Sequence, residues 1–212
     1  MHNRASLSKI AKPSRYKLRI DGPSGKIETV VEDPGEARKG LALIAHPHPL
    51  HGGSMDNKVV TTIADTLYDL GYVAVRPNFR GVGMSEGEYD HGQGEVQDML
   101  AVHDFVRPRY PGLPLILAGF SFGAYVQSVV SETLRPEHLL LVGPAVNMFA
   151  MGNPPQHTIV IHGEHDEIAP TAAAREWAER HGCTFALVRD TDHFFHKKLG
   201  ELKEHILTLC PC

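Results

Sequence analysis

The sequence is poor in cysteine, in long apolar runs and in any excess of charge, and each shortage excludes a class of protein. Its 212 residues contain three cysteines, Cys183, Cys210 and Cys212. An odd number with two at the C-terminus is a poor disulfide framework and predicts a reducing, cytoplasmic location. No apolar run approaches the roughly 20 residues of a membrane helix. A net charge of −4 gives no reason to expect a nucleic acid or an anionic membrane as partner.

The chain also lacks internal repeats, low-complexity tracts and long linkers, which predicts one domain over residues 1–212. A content of 42% hydrophobic and 22% charged residues is typical of globular proteins. Residues 1–14 are expected to be disordered. The first 20 residues hold Lys and Arg but no acid, as transit peptides do, yet residues 15–20 already alternate like a strand. The sequence is compatible with a homo-oligomer as well as with a monomer.

Strands and helices alternate from residue 41 to the end of the chain. An Asp-Gly-Pro-Ser-Gly turn between residues 16–20 and 27–31 predicts an N-terminal hairpin. Apolar runs predict buried strands at 41–45, 72–75, 115–119, 138–142, 158–161 and 184–188. Periodic apolar residues predict a helix capped by Asp56 or Asn57 and ended by Gly71, and further helices at 95–106, 122–134, 171–180 and 197–209. This order predicts a mostly parallel sheet with helices on both faces, and the short segment 143–157 leaves no room for a lid domain.

Polar segments follow four of the predicted strands. They are HPHPLHGGS after 41–45, the serine of GFSFG after 115–119, HGEHDEIAP after 158–161 and RDTDHFF after 184–188. Ligands of parallel α/β sheets bind beyond the carboxyl ends of the strands. The four segments are therefore expected to meet at one edge of the sheet and to form the functional site there.

Ser121 stands at the centre of GFSFG, with a glycine two residues away on each side. A sharp turn from strand to helix strains the corner residue and crowds the positions two before and two after it, where only glycine fits. Such strain is tolerated where it exposes a reactive group. A serine nucleophile needs an imidazole to take its proton and a carboxylate to orient that imidazole. His193 and Asp166 follow the last two strands and are the candidates for these roles.

The order Ser121, Asp166, His193, the GFSFG elbow and the loop NFRGVGMSEG together resemble the α/β-hydrolase family. The resemblance covers nearly the whole chain from the first hairpin onward. The small size and missing lid resemble the dienelactone-hydrolase-like branch, whose nucleophile is a cysteine. Because this chain has serine, a small lid-less serine esterase is the closer comparison. The resemblance implies no cofactor.

Other acids near His193 are rivals of Asp166. Asp190 and Asp192 lie too close to His193 in sequence to reach it from a neighbouring strand end, whereas Glu164 and Glu167 share the loop of Asp166. The resemblance favours Asp166, because the spacing Gly-x-x-Asp from Gly163 marks the acid in that family.

An oxyanion formed at a carbonyl needs two backbone N–H donors. The first is expected from Phe122, which follows the nucleophile at a helix N-terminus. By the family pattern, His46-Pro47 occupies the place of the usual His-Gly pair, so His48 would donate second, with Leu50 as the alternative. Pro47 and Pro49 have no N–H.

Two further groups of residues have a structural and a functional interpretation. His46, His48, His51, His162 and His165 could ligate a metal, but no second ligand cluster or Cys pair matches them, so no metal is predicted. Arg80 could bind an acidic substrate, but a guanidinium that ties loops together is the favoured interpretation.

The leading hypothesis is a serine hydrolase that cleaves a small carboxylic ester or thioester through an acyl-enzyme on Ser121. The partner expected is a small-molecule ester. Amide or peptide cleavage uses the same groups and stays open. The alternatives from other classes are a non-catalytic binding protein on the same fold and a metal-dependent hydrolase.

Overall fold

The computed structural model describes residues 12–210. Cys212 and most of the segment predicted to be disordered, 1–14, lie outside the described residues. At the end of that segment, the first strand already begins at Ser14.

Eight strands and five helices make up the regular structure of residues 12–210. The strands are β1 Ser14–Gly22, β2 Gly25–Asp33, β3 Gly40–Ala45, β4 Tyr72–Pro77, β5 Leu115–Phe120, β6 His138–Val142, β7 Thr158–Gly163 and β8 Thr184–Val188. The helices are α1 Lys58–Asp69, α2 Gln93–Val106, α3 Phe122–Leu134, α4 Thr171–Arg180 and α5 Leu199–Leu209. Short 3₁₀ turns lie at Gly35–Ala37, Pro49–His51 and Arg107–Arg109.

All eight strands form one sheet in the order β1-β2-β4-β3-β5-β6-β7-β8. The hairpin β1-β2 is antiparallel and joins β4 in antiparallel register, while all pairs from β4 to β8 are parallel. The mostly parallel sheet and the N-terminal hairpin predicted from the sequence are confirmed. Residues 143–157, between β6 and β7, contain no helix or strand.

Helices cover both faces of the sheet, which explains the unbroken apolar runs of β3 to β7. One core lies between the sheet and α2, α3 and α4, and the other between the sheet and α1 and α5. Alternate residues of a strand serve opposite cores: Leu43 packs with the first and Ile44 with the second. Asn57, one of the two predicted caps, accepts the Val59 amide at 2.9 Å and starts α1. None of the described helices has the length and apolar character needed to cross a bilayer.

Candidate active site

The parallel strands carry four loops to the same edge of the sheet, called here the carboxyl edge. Residues 46–57 follow β3, Ser121 follows β5, the loop of Asp166 follows β7 and the loop of His193 follows β8. The topology therefore brings to this edge every segment that sequence reasoning assigned to the site.

Ser121 occupies the corner between β5 and α3 in a backbone conformation rare for a residue with a side chain, at φ 56° and ψ −116°. The crowding expected around it is present. A Cβ at Gly119 would lie 2.3 Å from the Gly123 carbonyl oxygen, and a Cβ at Gly123 would lie 2.4 Å from the Ala45 oxygen. The Ser121 amide is fixed by the Val142 carbonyl at 2.9 Å, whereas its hydroxyl caps no helix amide. The backbone of Ser121 is thus fixed, while its hydroxyl has no hydrogen-bond partner among the described residues.

His193 and Asp166 form a buried pair. Nδ1 of His193 lies 2.6 Å from Oδ2 of Asp166, and because a carboxylate only accepts, Nδ1 carries the proton. The other carboxylate oxygen accepts the amides of Ile168 at 3.0 Å and Ala169 at 2.7 Å. Burial alone would raise the pKa of Asp166, but hydrogen bonds from His162, His193 and the Ala169 amide hold it well below the usual range. Asp166 is therefore ionised and orients the imidazole.

The His193 ring lies against the residues that flank Ser121. Its centroid is 5.0 Å from that of Phe120, which immediately precedes the serine. A Cβ on Gly143, the residue after the Val142 that fixes the Ser121 amide, would lie 3.3 Å from Cε1 of His193. No hydrogen bond within 3.5 Å joins the Ser121 hydroxyl to His193. Such contacts are often long without substrate. The structure thus places the three residues at one edge, with the acid–imidazole bond formed and the serine–imidazole bond unformed.

The loop after β3 is held by His46, which is completely buried. Its Nε2 accepts the Phe79 amide at 2.9 Å, so Nδ1 carries the proton and donates to the Pro47 carbonyl at 2.7 Å. Burial lowers the pKa of His46 to about 4, although the Pro47 carbonyl opposes the shift. Both ring nitrogens bind backbone groups, so His46 joins the end of β3 to the segment after β4.

Of the two candidates for the second oxyanion donor, His48 and Leu50, only His48 has an unoccupied amide. The Leu50 amide donates to Nδ1 of His48 at 3.2 Å, and no hydrogen bond of the described residues uses the His48 amide. The Phe122 amide, in the first turn of α3, is likewise free. The two residues are neighbours, with ring centroids 4.9 Å apart. The close approach of Gly123 to Ala45 brings the first turn of α3 against this loop.

The rival acids have other partners or face solvent. Glu164 accepts the Asp190 amide at 3.0 Å, Asp192 pairs with Nδ1 of His196 at 2.5 Å, and Glu167 is exposed. Among residues 12–210, one group of side chains has the spacing of metal ligands, namely Glu164, His165 and Asp190, whose ligand atoms lie within 4.8 Å of one another. Two of the three are fully exposed, and none belongs to the Asp166–His193 pair.

Arg80 does not face the carboxyl edge as a free cation. Its guanidinium makes two hydrogen bonds of 2.8 Å to the Asp98 carboxylate and one of 2.9 Å to the Gly94 carbonyl. These contacts tie the NFRGVGMSEG loop to α2, which agrees with the structural interpretation of this residue.

His162 is the residue of the site whose place sequence reasoning missed. The sequence offers it only as a metal ligand, yet its Nε2 lies 3.2 Å from Oδ2 of Asp166 and 2.8 Å from the Ala169 carbonyl. The available signal was its position at the end of β7, directly before Gly163.

Comparison with known proteins shows that the chain is similar to one family and to three individual proteins described here. The sequence profile of the serine aminopeptidase family, S33, matches residues 48–159, more than half of the chain. An uncharacterized protein of Rickettsia prowazekii (strain Madrid E) is 33% identical over 206 residues, covering 90% of this chain and 86% of the relative. A monoglyceride lipase homolog of Monkeypox virus is 26% identical over 174 residues, covering 79% of this chain and 58% of the relative.

A solved structure from Xanthomonas campestris, described as an α/β serine hydrolase without a lid, is 39% identical and superposes with a TM-score of 0.88. The match covers 92% of this chain and 93% of that one. The similarity therefore extends over nearly the whole of both chains.

Proposed function

This chain belongs to the S33 serine aminopeptidase family of α/β serine hydrolases, and from that premise we propose that it cleaves small carboxylic esters or thioesters through an acyl-enzyme on Ser121. The expected α/β-hydrolase fold without a lid domain is confirmed by the relative from Xanthomonas campestris. The substrate bond and the roles of individual residues are the proposal.

The observation that carries the proposal is the buried pair of His193 and Asp166 beside a strained serine. Nδ1 of His193 donates to Asp166 at 2.6 Å, so in the neutral ring the lone pair lies on Nε2. A neutral imidazole nitrogen at this place is the base that a serine hydroxyl needs. A hydroxyl with no partner of its own is free to donate to it.

In the proposed reaction, Ser121 Oγ attacks the carbonyl carbon while Nε2 of His193 takes the hydroxyl proton. The carbonyl π electrons move to oxygen, and the amides of Phe122 and His48 stabilise the oxyanion. The oxyanion collapses, the bond to the alcohol or thiol breaks, and His193 returns the proton to that leaving group. Water then attacks the acyl-enzyme while His193 takes one of its protons, and the bond to Ser121 Oγ breaks as His193 gives that proton to the serine, which releases the acid. Asp166 stays ionised throughout and stabilises the imidazolium.

The surface around the site favours apolar substrates. Five large hydrophobic side chains among the described residues are exposed on loops of the carboxyl edge, after β3, β4, β6, β7 and β8: Leu50, Met84, Met148, Ile168 and Phe194. Because no helix or strand lies over the site in segment 143–157, this apolar rim is open. Small apolar acyl groups fit such an opening better than charged ones.

A fluorophosphonate probe tests the proposal, because it traps an activated serine as a covalent adduct. We expect rapid labelling at Ser121 and turnover of short p-nitrophenyl esters and of matched acyl thioesters. Ser121→Ala should lose both, while Ser131→Ala, on the same helix, should behave as wild type because its hydroxyl binds the Ser128 carbonyl.

Two other results would contradict the ester proposal in different ways. Faster turnover of aminoacyl p-nitroanilides than of esters would identify an amidase or peptidase, the activity that the family description suggests. Folded wild-type protein that is neither labelled nor active would indicate a binding protein on this fold.

A further inference from the structure

His162 lies at the end of β7 and is completely buried. Its Nε2 is within hydrogen-bonding distance of two oxygens, the Ala169 carbonyl at 2.8 Å and Oδ2 of Asp166 at 3.2 Å. Both oxygens can only accept, so Nε2 carries the proton. Nδ1 is buried and has no partner among the described residues. His162 therefore donates to the Ala169 carbonyl and holds the same N–H within 3.2 Å of the carboxylate that orients His193.

Asp166 consequently accepts hydrogen bonds on both sides of its carboxylate. Oδ1 accepts the amides of Ile168 and Ala169, and Oδ2 is shared by the two imidazoles, His193 at 2.6 Å and His162 at 3.2 Å. The backbone amides restrain the carboxylate through Oδ1. Apart from His193 itself, His162 is the side chain that faces Oδ2, and it opposes rotation of the carboxylate away from His193.

We propose that His162 is a positioning residue for the hydrolysis proposed above, holding Oδ2 of Asp166 where it accepts the Nδ1 proton of His193. The inference rests on that proposed function. It also assigns His162 a second effect: by sharing the charge of Oδ2, it limits how strongly Asp166 holds a protonated His193.

Packing alone does not explain a histidine at this position. The ring stacks at 6.3 Å on that of Phe185, in a place that a phenylalanine would fill with similar volume. A buried ring nitrogen without a partner disfavours the folded state, and phenylalanine would remove it. What phenylalanine cannot supply is the N–H that reaches Asp166 and the Ala169 carbonyl.

The test compares His162→Phe, which keeps the ring and removes the donor, with His162→Gln, whose amide can place an N–H near the position of Nε2. Activity is measured on a short p-nitrophenyl ester. We expect His162→Phe to lower kcat about 10- to 100-fold with KM changed by less than about twofold, since the loss is one of orientation. His162→Gln should recover kcat to within about fivefold of wild type.

Two further readouts separate positioning from stability. Without the donor, Asp166 holds protonated His193 more strongly, so the acid limb of the kcat/KM profile should move to higher pH in His162→Phe. Phe185→Leu loosens the packing on the other side of the ring and keeps the donor. It should lower the melting temperature with kcat near that of wild type.

The inference is overturned if His162→Phe keeps wild-type kcat and pH profile, or if Phe185→Leu loses as much kcat as His162→Phe does. Should His162→Phe not fold, ¹⁵N-histidine NMR of the wild type decides, because an Nε2 of His162 without a proton would contradict the assigned donor. Wild type without turnover or labelling overturns the proposed function and this role together. Active wild type with an unaffected His162→Phe overturns this role alone.

Discussion

Mild acid should destabilise this fold through His46. The histidine is completely buried, and both its ring nitrogens bind backbone groups, the Phe79 amide and the Pro47 carbonyl. Protonation of Nε2 would place its N–H against the N–H of the Phe79 amide, so that two donors would face each other. It would also bury a positive charge away from water. Burial accordingly lowers the pKa of His46 from its ordinary value of 6.5 to about 4.

The size of the effect follows from linkage between protonation and folding. Between pH 6.5 and 4 the unfolded chain binds a proton at this histidine and the folded chain does not, so the free energy of unfolding falls as pH falls. At about 1.4 kcal/mol per pH unit, this interval corresponds to about 3 kcal/mol, of which about 2 kcal/mol should be lost by about pH 4.5. Asp166 does not contribute in this range, because its lowered pKa confines its loss of stability to pH values below about 4.

Urea denaturation at a series of pH values, followed by circular dichroism, measures this slope. His46→Gln removes the titrating group. Between about pH 7 and about pH 4.5 this variant should lose about 2 kcal/mol less free energy of unfolding than the wild type. His157→Gln replaces an exposed histidine and should leave the slope as in wild type. If His46→Gln keeps the wild-type slope, the ring is protonated in the folded protein and the arrangement described for the loop after β3 is wrong.

Two other substitutions test how the site is built. Gly123→Ala would place a Cβ 2.4 Å from the Ala45 carbonyl oxygen, so the first turn of α3 must move. Fluorophosphonate labelling should slow at least about 100-fold, and an unchanged rate would show that the contact is dispensable. Arg80→Met leaves the buried Asp98 carboxylate without its partner and should cost about 3–5 kcal/mol of unfolding free energy in urea. The double variant with Asp98→Leu should recover most of that loss, and equal instability of both variants would refute the pairing.

Much of the fold could be predicted from the sequence, because apolar pattern and local chemistry agree along most of the chain. The bounds of α3, β6, α4 and β8 are those predicted. Several strands extend one or two residues beyond the predicted bounds, and two helices start at residues that the apolar pattern does not indicate. α2 begins at Gln93, two residues early, because the carboxylate of Glu95 accepts the amides of Asp90 and Gly92.

The opposite error occurs at α5, which begins at Leu199 rather than at residue 197. Phe195 and Lys197 both have positive φ, at 54° and 60°, so the chain between His193 and the helix turns in a conformation that helices exclude. Neither residue is glycine or asparagine, and nothing in the apolar pattern marks them. The Phe195 side chain is fully buried, which indicates that packing against the sheet, rather than local preference, determines this turn.

The candidate site could be predicted where it depends on the order of residues along the chain, but not where it depends on the partners of ring nitrogens. Ser121, Asp166 and His193 were candidates because each follows a predicted strand. The roles of His46 and His162 depend on which group faces each nitrogen, and those groups are mostly backbone atoms that any residue could supply.

The same criterion separates the three buried histidines of the site. Both nitrogens of His46 bind backbone groups, so it has no position at which to accept a proton. His162 donates from Nε2, and its Nδ1 is enclosed where no hydroxyl of the described chain reaches it. His193 also has a ring nitrogen paired with a carboxylate, but unlike His162 its ring lies against Phe120, the residue before Ser121. A base for Ser121 needs an unoccupied ring nitrogen within reach of the hydroxyl, so the partners and the position of each ring, more than burial, support His193 as the proposed base.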